Sequence, residues 1–277
     1  MKKISFILAA VLLVACAKKP QEKALTILHT NDTHSTIMPE DVSHMGGYAR
    51  RMGLIEKERE ADPNLLLLDA GDFTQGTPYF NYYHGRVEID AMNWMKYDAA
   101  TLGNHEFDYG VDTLAVVLKD AQFPILCANY DVKGTPLEGL VKPYEIFDRN
   151  GMKVGVFGLG SYPNNVIDDD NFAPLKYIDS YEVAQQMADE LHTKGCEVVV
   201  CLSHLGTHPH SPGEPSDMEL VTKTRGIDVV IGGHSHELIA DSVAVNLDGK
   251  EIPVRQMWRY GAYIGKIMLH LGDKNEK

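Results

Sequence analysis

Long apolar runs are missing from this sequence. The longest, Ile4 to Ala15, falls short of the roughly 20 residues a membrane-spanning helix needs, and nothing later in the chain could span a bilayer. Positive charge is also scarce: 26 Lys and Arg stand against 39 Asp and Glu, for a formal net charge of −13. That balance argues against a non-specific grip on a nucleic acid polymer. Acidic side chains can still ligate cations, and a bound cation reverses the local sign of charge. Cysteine is sparse, with four in 277 residues, and tryptophan is limited to two. No internal repeat and no low-complexity linker divides the chain. What remains is ordinary for a globular protein: 44% apolar and 23% charged residues, enough for one large α/β domain and short for two.

The apolar run near the N-terminus has the layout of a leader. Lys2 and Lys3 precede it, and it closes on Leu13-Val14-Ala15-Cys16. Residues 1–15 therefore read as a signal peptide and 16–23 as a polar tether, with 24–277 as the folded domain. The closing tetrapeptide resembles a bacterial lipobox, which implies cleavage before Cys16 and lipidation of its thiol. The chain would then be exported and lipid-anchored, facing the periplasm or the cell exterior. An ordinary leader with an incidental cysteine is the alternative. Three cysteines are left: Cys127, Cys196 and Cys201. An odd number in an exported chain is no disulfide framework. Cys196 and Cys201 flank one strand, about 17 Å apart at strand spacing, beyond disulfide reach. All three read as small buried apolar residues.

Apolar runs recur along the rest of the chain. Ala24 to His29, Leu65 to Leu68, Ile125 to Ala128, Lys153 to Phe157, Val198 to Leu202 and Asp228 to Ile231 read as strands. Helices are predicted over Gly47 to Glu60, Val87 to Met95, Tyr181 to Thr193 and Met218 to Thr224. In the third of these, Val183, Met187 and Leu191 repeat at helical spacing. Val243 to Asn246 and Ile252 to Gln256 flank Asp248-Gly249, a hairpin signal. Strands alternating with helices predict layered α/β packing.

The chemistry-bearing residues fall just past the ends of these apolar runs, the edge where open α/β sheets build sites. Asp32-Thr33-His34 follows the first run. If the segment is extended, residues two apart share a side, so Asp32 and His34 can reach one metal together. Gly71-Asp72 follows the second; the glycine permits a tight turn, and a carboxylate can bridge two cations. Asn104, His105 and Asp108 come next, the last two one helical turn apart. His204 follows another strand, and His234 and His236 follow Gly232-Gly233. Each piece alone is weak, but five in order at strand ends point to a two-metal site.

Asp32-x-His34, Gly71-Asp72, Gly103-Asn104-His105-Glu106, His204 and Gly233-His234-x-His236 resemble the calcineurin-like metallophosphoesterase superfamily. Two longer stretches narrow the likeness. Ile27-Leu28-His29-Thr30-Asn31-Asp32-Thr33-His34 and Gly103-Asn104-His105-Glu106-Phe107-Asp108-Tyr109-Gly110 are similar to the bacterial 5'-nucleotidase and UDP-sugar hydrolase family, as is Gly71-Asp72 followed by Gln75-Gly76. The resemblance covers roughly Leu25 to Leu271. It implies an α/β fold of four layers, α-β-β-α. It implies one metal on Asp32, His34, Asp72 and His236, and a second on Asp72, Asn104, His204 and His234. Imidazole and carboxylate donors suit Mn, Zn, Fe or Co better than Mg. A water bound to two such cations would attack phosphorus. His105 matches the position that stabilises charge on the transferring phosphoryl group or leaving oxygen, with Asp108 orienting it; a further metal ligand is the other reading of His105.

The resemblance implies a metal-dependent phosphohydrolase of nucleoside monophosphates or related nucleotides. UDP-sugars, cyclic nucleotides and general phosphomonoesters are variants of that activity. A non-catalytic nucleotide-binding lipoprotein and a sulfur-oxidising hydrolase of the same architecture are the competing classes. Full-length 5'-nucleotidases carry a C-terminal domain that supplies substrate contacts, and nothing here matches it. A separately encoded C-terminal domain protein, docking over the metal site, is therefore one expected partner; a chain acting alone on a broader set of phosphoesters is the alternative. Trp94 and Trp258 read as packing residues rather than base platforms. His208 and His210 read as a solvated loop, with lining of the site's rim as the other reading.

Overall fold

A computed structural model describes residues 23–39 and 43–271. The leader over residues 1–15 and the tether over 16–22, including Cys16, lie outside the described residues, as do 40–42 and 272–277; Lys23, read with the tether, instead opens the first strand. The chain begins with β1 (Lys23–Thr30), α1 (Tyr48–Ala61) and β2 (Leu66–Asp69). Then come α2 (Pro78–Tyr83), α3 (Arg86–Met95), β3 (Ala99–Thr101), a 3-10 turn over His105–Phe107 and α4 (Gly110–Leu118). Four short strands lead out of this half: β4 (Ile125–Leu126), β5 (Tyr130–Asp131), β6 (Val141–Lys142) and β7 (Tyr144–Arg149). The second half runs β8 (Met152–Leu159), α5 (Asp169–Phe172), β9 (Lys176–Tyr177), α6 (Ser180–Thr193), β10 (Val198–Ser203) and α7 (Asp217–Lys223). It closes with β11 (Val229–Ile231), β12 (Leu238–Val245), β13 (Glu251–Met257) and β14 (Gly265–Leu271).

Two six-stranded sheets result, ordered β14-β1-β2-β3-β4-β6 and β12-β13-β11-β10-β8-β7. Neighbours in the centre of each are parallel, and the antiparallel strands β14, β12 and β7 sit at edges. Strands such as β2 and β10 are buried along their whole length, as parallel strands covered on both faces must be. Alternate residues then choose between two partners. From the first sheet, Leu28, Leu67, Ala100 and Ile125 pack with Ile55, Ile89, Met92 and Leu114 of α1, α3 and α4. Their neighbours Ile27, Leu66, Leu68 and Leu126 meet Val154, Val156, Val200 and Ile231 of the second sheet. On its far side that sheet sets Val199, Cys201 and Val230 against Val183, Leu191 and Leu220 of α6 and α7. The layers are therefore helix, sheet, sheet, helix. Each fully buried aliphatic side chain contributes roughly 1.5–3 kcal/mol.

Helix ends follow local chemistry. Asp179 caps α6, its carboxylate accepting from the backbone N–H of Tyr181 and Glu182 at 3.0 and 2.9 Å, which satisfies donors that would otherwise be orphaned. The hairpin at Asp248-Gly249 joins β12 to β13, with Val245 opposite Glu251 and Gly249 at φ 75°. Cys127, Cys196 and Cys201 are free thiols and buried. No helix among the described residues is long and apolar enough to cross a membrane.

Because the central strands are parallel, their C-terminal ends open on one edge of the sandwich. The loops after β1, β2, β3, β10 and β11 all emerge there, carrying residues 31–36, 70–77, 102–108, 204–207 and 232–237.

Candidate metal centre

The backbone of these loops is bent where ligands need to turn inward. Asp32, His34, Asp72, His234 and His236 all have φ between 44° and 73°, a left-handed region that residues with a Cβ visit rarely. Asp32 and His34 thus do not share a side by lying on an extended segment. They are turned to the same place by two left-handed bends. Such strain persists only where surrounding bonds over-determine it. Here the first loop is sewn onto the second: Asp32 N donates to Gly71 O at 2.9 Å, His34 N to Asp72 O at 3.0 Å and Ser35 N to Phe73 O at 3.1 Å. Gly71 is itself at φ 91°. A Cβ there would stand 2.6 Å from Gly103 N and 2.8 Å from His204 Nδ1, so only glycine lets the loops approach.

Two groups of donors result. Ligand atoms of Asp32, His34, Asp72 and His236 lie within 4.8 Å of one another, and so do those of Asp72, His204 and His234. Asp72 is common to both. Asn104 joins the second group, its Oδ1 2.9 Å from His234 Nδ1. Every side chain singled out in the sequence for this centre is therefore brought to one place.

The donor set fits divalent cations better than it fits itself. His34 Nε2 and His236 Nε2 face each other at 2.9 Å, although both point at Asp32 Oδ1, at 4.0 and 3.3 Å. His204 Nδ1 donates to the Ala70 carbonyl at 2.6 Å, which commits its other nitrogen inward, the usual second contact of a metal-binding histidine. That nitrogen, Nε2, is buried and makes no hydrogen bond of proper geometry while standing 3.1 Å from Asp72 Oδ2. Burial would hold the His204 imidazole down, but Asp72 and Asp32 push it up to about 10. Burial would likewise raise Asp72, yet His204, with His34 and His105, holds it well below the usual carboxylate range. The His204 Nε2 lone pair is the one a metal would use. His234 is pulled down to about 4 by burial and by the His204 charge. Burial also lowers His34, so both are neutral donors at pH 7.

His105 stands apart from the two groups. The 3-10 turn brings its Nδ1 within 3.1 Å of both Asp108 oxygens, and its backbone N–H donates to Asp72 Oδ1 at 2.9 Å. Its ring lies 5.4 Å from that of His34, and its side chain is 31% exposed, so it faces the mouth rather than the floor. Burial lowers its affinity for a proton, but the Asp108 bond and the charges of Asp72 and Asp108 outweigh that and raise it. His208 and His210 are both exposed, though the His210 ring reaches 5.1 Å from His234 and so sits on the rim.

Sequence reasoning assigned no role to three supporting residues. Glu106 is buried beneath the centre and accepts from Asp72 N, Gly103 N, Thr74 N and Thr74 Oγ1 at 2.6–3.1 Å. Asn31 donates to Asp32 Oδ2 at 2.6 Å and to Trp258 O at 2.7 Å. Arg259 places Nη1 3.3 Å from His236 Nδ1. The first two lie inside the quoted motifs. Arg259 has no local signal, since its approach depends on a contact 23 residues away.

The family sequence model of the calcineurin-like phosphoesterases matches residues 25–238. The chain belongs to that family. Among curated relatives, a 5'-nucleotidase from the venom of Naja atra is 37% identical over 91% of this chain and 51% of its own length. A human 5'-nucleotidase is 35% identical over 90% of this chain and 47% of its own. Of solved structures, the 5'-nucleotidase precursor of Thermus thermophilus superposes with a TM-score of 0.83 at 36% identity, over 92% of this chain and 52% of that one. The chain spans about half the length of these relatives.

Proposed function

We propose that this chain is a dinuclear-metal phosphoester hydrolase acting on nucleoside monophosphates or related nucleotides. The observation that carries the reading is the pair of donor groups sharing Asp72, with His105 and Asp108 beside them. The likeness to 5'-nucleotidases supplies the substrate class. Asp32, His34, Asp72 and His236 would hold one cation; Asp72, Asn104, His204 and His234 would hold the other. Four imidazoles among the donors favour Mn, Zn, Fe or Co over Mg. Held there, such a cation pair would supply Lewis-acid chemistry toward water and the phosphoryl oxygens. The chain's own contribution is to fix the donors before substrate arrives. His105, kept upright by Asp108, offers a proton or a positive hydrogen-bond donor at the mouth, where charge gathers on the departing oxygen. Asp108 sets its orientation and favours its protonated form.

Replacing His105 with asparagine is expected to lower kcat about 10²–10⁴-fold and leave the metal content unchanged, as read by elemental analysis of the purified variant. Loss of metal along with turnover would make His105 a ligand instead.

The rest of the reading concerns location and partners. Cys16 at the end of the apolar leader supports export and lipid anchoring. The open mouth, with His105 and Asp108 about one-third exposed, supports a covering surface for the nucleoside from a further domain or a separate C-terminal domain chain. Phosphate release from AMP, UDP-glucose, 2',3'-cyclic AMP and p-nitrophenyl phosphate tests the function. With Mn or Zn added, release favouring AMP is expected, abolished by chelator and restored by metal. Release from the aryl ester alone would support metals without nucleotide recognition. No release from a folded, metal-loaded chain would leave a binding role.

A further inference from the structure

The one arginine or lysine within hydrogen-bond distance of a candidate ligand, among the described residues, is Arg259. Its partner there is unsuited to the metal-loaded state. His236 faces the centre through Nε2, 3.3 Å from Asp32 Oδ1, and Arg259 Nη1 approaches the opposite nitrogen, Nδ1, at 3.3 Å. A guanidinium only donates, so Nδ1 must accept in this contact. An imidazole whose Nε2 lone pair is committed to a cation carries its hydrogen on Nδ1 and needs an acceptor there. Two donors cannot share a hydrogen bond. In the loaded centre Arg259 therefore has nothing to hold at His236.

Among the described residues the Arg259 side chain has no other hydrogen bond or ion pair. No carboxylate among the described residues pairs with Arg259, and its Nε is buried without a partner. The guanidinium carbon lies 4.8 Å from the Tyr260 ring centroid and 5.8 Å from that of Trp258, contacts that tolerate sliding. The backbone beneath is the reverse, firmly clamped. Asn31 Nδ2 donates to Trp258 O at 2.7 Å, and Tyr260 N donates to Asp32 O at 2.7 Å. Trp258 and Tyr260 are both bent into the left-handed region, at φ 55° and 60°. The fold thus spends two strained residues to hold a loosely tied cation against the loop that carries Asp32 and His34.

We propose that Arg259 is a substrate-binding residue, released from His236 when the metals are in place and engaging the oxygens of the substrate's phosphate. A planar fork of donors matches that oxyanion, and in a chain of net charge −13 a local cation offsets repulsion of an anionic substrate. The inference rests on the phosphohydrolase reading for its ligand, but its test does not need turnover.

The test is calorimetric titration of inorganic phosphate into the Mn-loaded chain, for wild type, Arg259→Met and Arg259→Lys, with metal content measured on each. The methionine variant is expected to weaken phosphate binding roughly tenfold to a hundredfold, the loss typical of a hydrogen bond to a charged group. Its metal content should equal the wild type's, and the lysine variant should fall between. Phosphate affinity within twofold of wild type in Arg259→Met would overturn the proposal. So would a wild type that binds no phosphate, or a weakening that tracks metal loss, which would make Arg259 a prop for His236. A wild type that binds phosphate yet releases none from any ester would sink the hydrolase reading alone and leave Arg259 judged on the titration.

Discussion

Asp72→Asn is expected to lower phosphate release about a thousandfold or more while leaving the fold intact. Asp72 is the carboxylate common to both donor groups, so its charge would serve two cations at once. Losing a metal's share of transition-state stabilisation costs several kcal/mol, and each 1.36 kcal/mol is a factor of ten in rate. The asparagine preserves what the fold needs. Its oxygen can still accept from His105 N, which lies 2.9 Å from Asp72 Oδ1. Its amide can donate to His204 Nε2, now 3.1 Å from Oδ2, once that imidazole is neutral. Thermal melting near the wild-type Tm beside a collapsed rate is the expected pair of results. A rate within tenfold of wild type would show that Asp72 bridges nothing.

Glu106→Ala is expected to act the other way, on the scaffold first. Four donors lose their acceptor: the backbone N–H groups of Asp72, Gly103 and Thr74 and the Thr74 hydroxyl. The site is buried, with Glu106 5% exposed, so water does not readily replace the carboxylate. Each unsatisfied buried donor costs about 1–3 kcal/mol, and the bonds are coupled, so the loss is expected to reach at least about 3 kcal/mol. In a domain of this size that lowers Tm by roughly 6–12 °C. Function should fall with it, because Glu106 ties the Gly71-Asp72 loop to the Gly103-Asn104 loop and thereby sets the distance between donors. Glu106→Gln keeps one acceptor oxygen and should lie between. Differential scanning calorimetry with metal content on the same samples reads both effects. An alanine variant with unchanged Tm and full metal content would remove Glu106 from the account.

Much of this was legible in the sequence because the fold puts its chemistry at strand ends. Apolar runs such as Leu65 to Leu68 and Val198 to Leu202 are buried on both faces, which makes them stand out whatever their partners. The polar residues directly after them had to emerge on the same edge. Less visible were elements whose identity depends on distant neighbours. β3 is only Ala99–Thr101, two alanines with little strand preference and one threonine, held by β2 and β4 on either side. β14 pairs with β1 across more than 230 residues, with Leu271 opposite Lys23, and Lys266, Met268 and His270 are exposed. α4 has no clear start signal in the sequence, because Gly110 opens it and no capping side chain marks the start.

The site shows the same division. Asp32 and His34 lie close together, but not through the extended geometry that their spacing suggests. Left-handed φ at residues with a Cβ contradicts local preference, and only the bonds from the first loop to Gly71, Asp72 and Phe73 impose it. The His105 and Asp108 pair needed no such help, since three residues on a helical turn is a local relation. Glu106 and Arg259 act across loops that the sequence keeps apart.

The central claim is that Asp32, His34, Asp72, Asn104, His204, His234 and His236 hold two divalent cations. Metal titration of the chelator-treated chain, followed by elemental analysis after gel filtration, tests it most directly. Two ions per wild-type chain are predicted, falling to one or fewer in Asp72→Asn. A wild type that retains no more than one ion, or an Asp72→Asn variant that retains two as tightly, would contradict it.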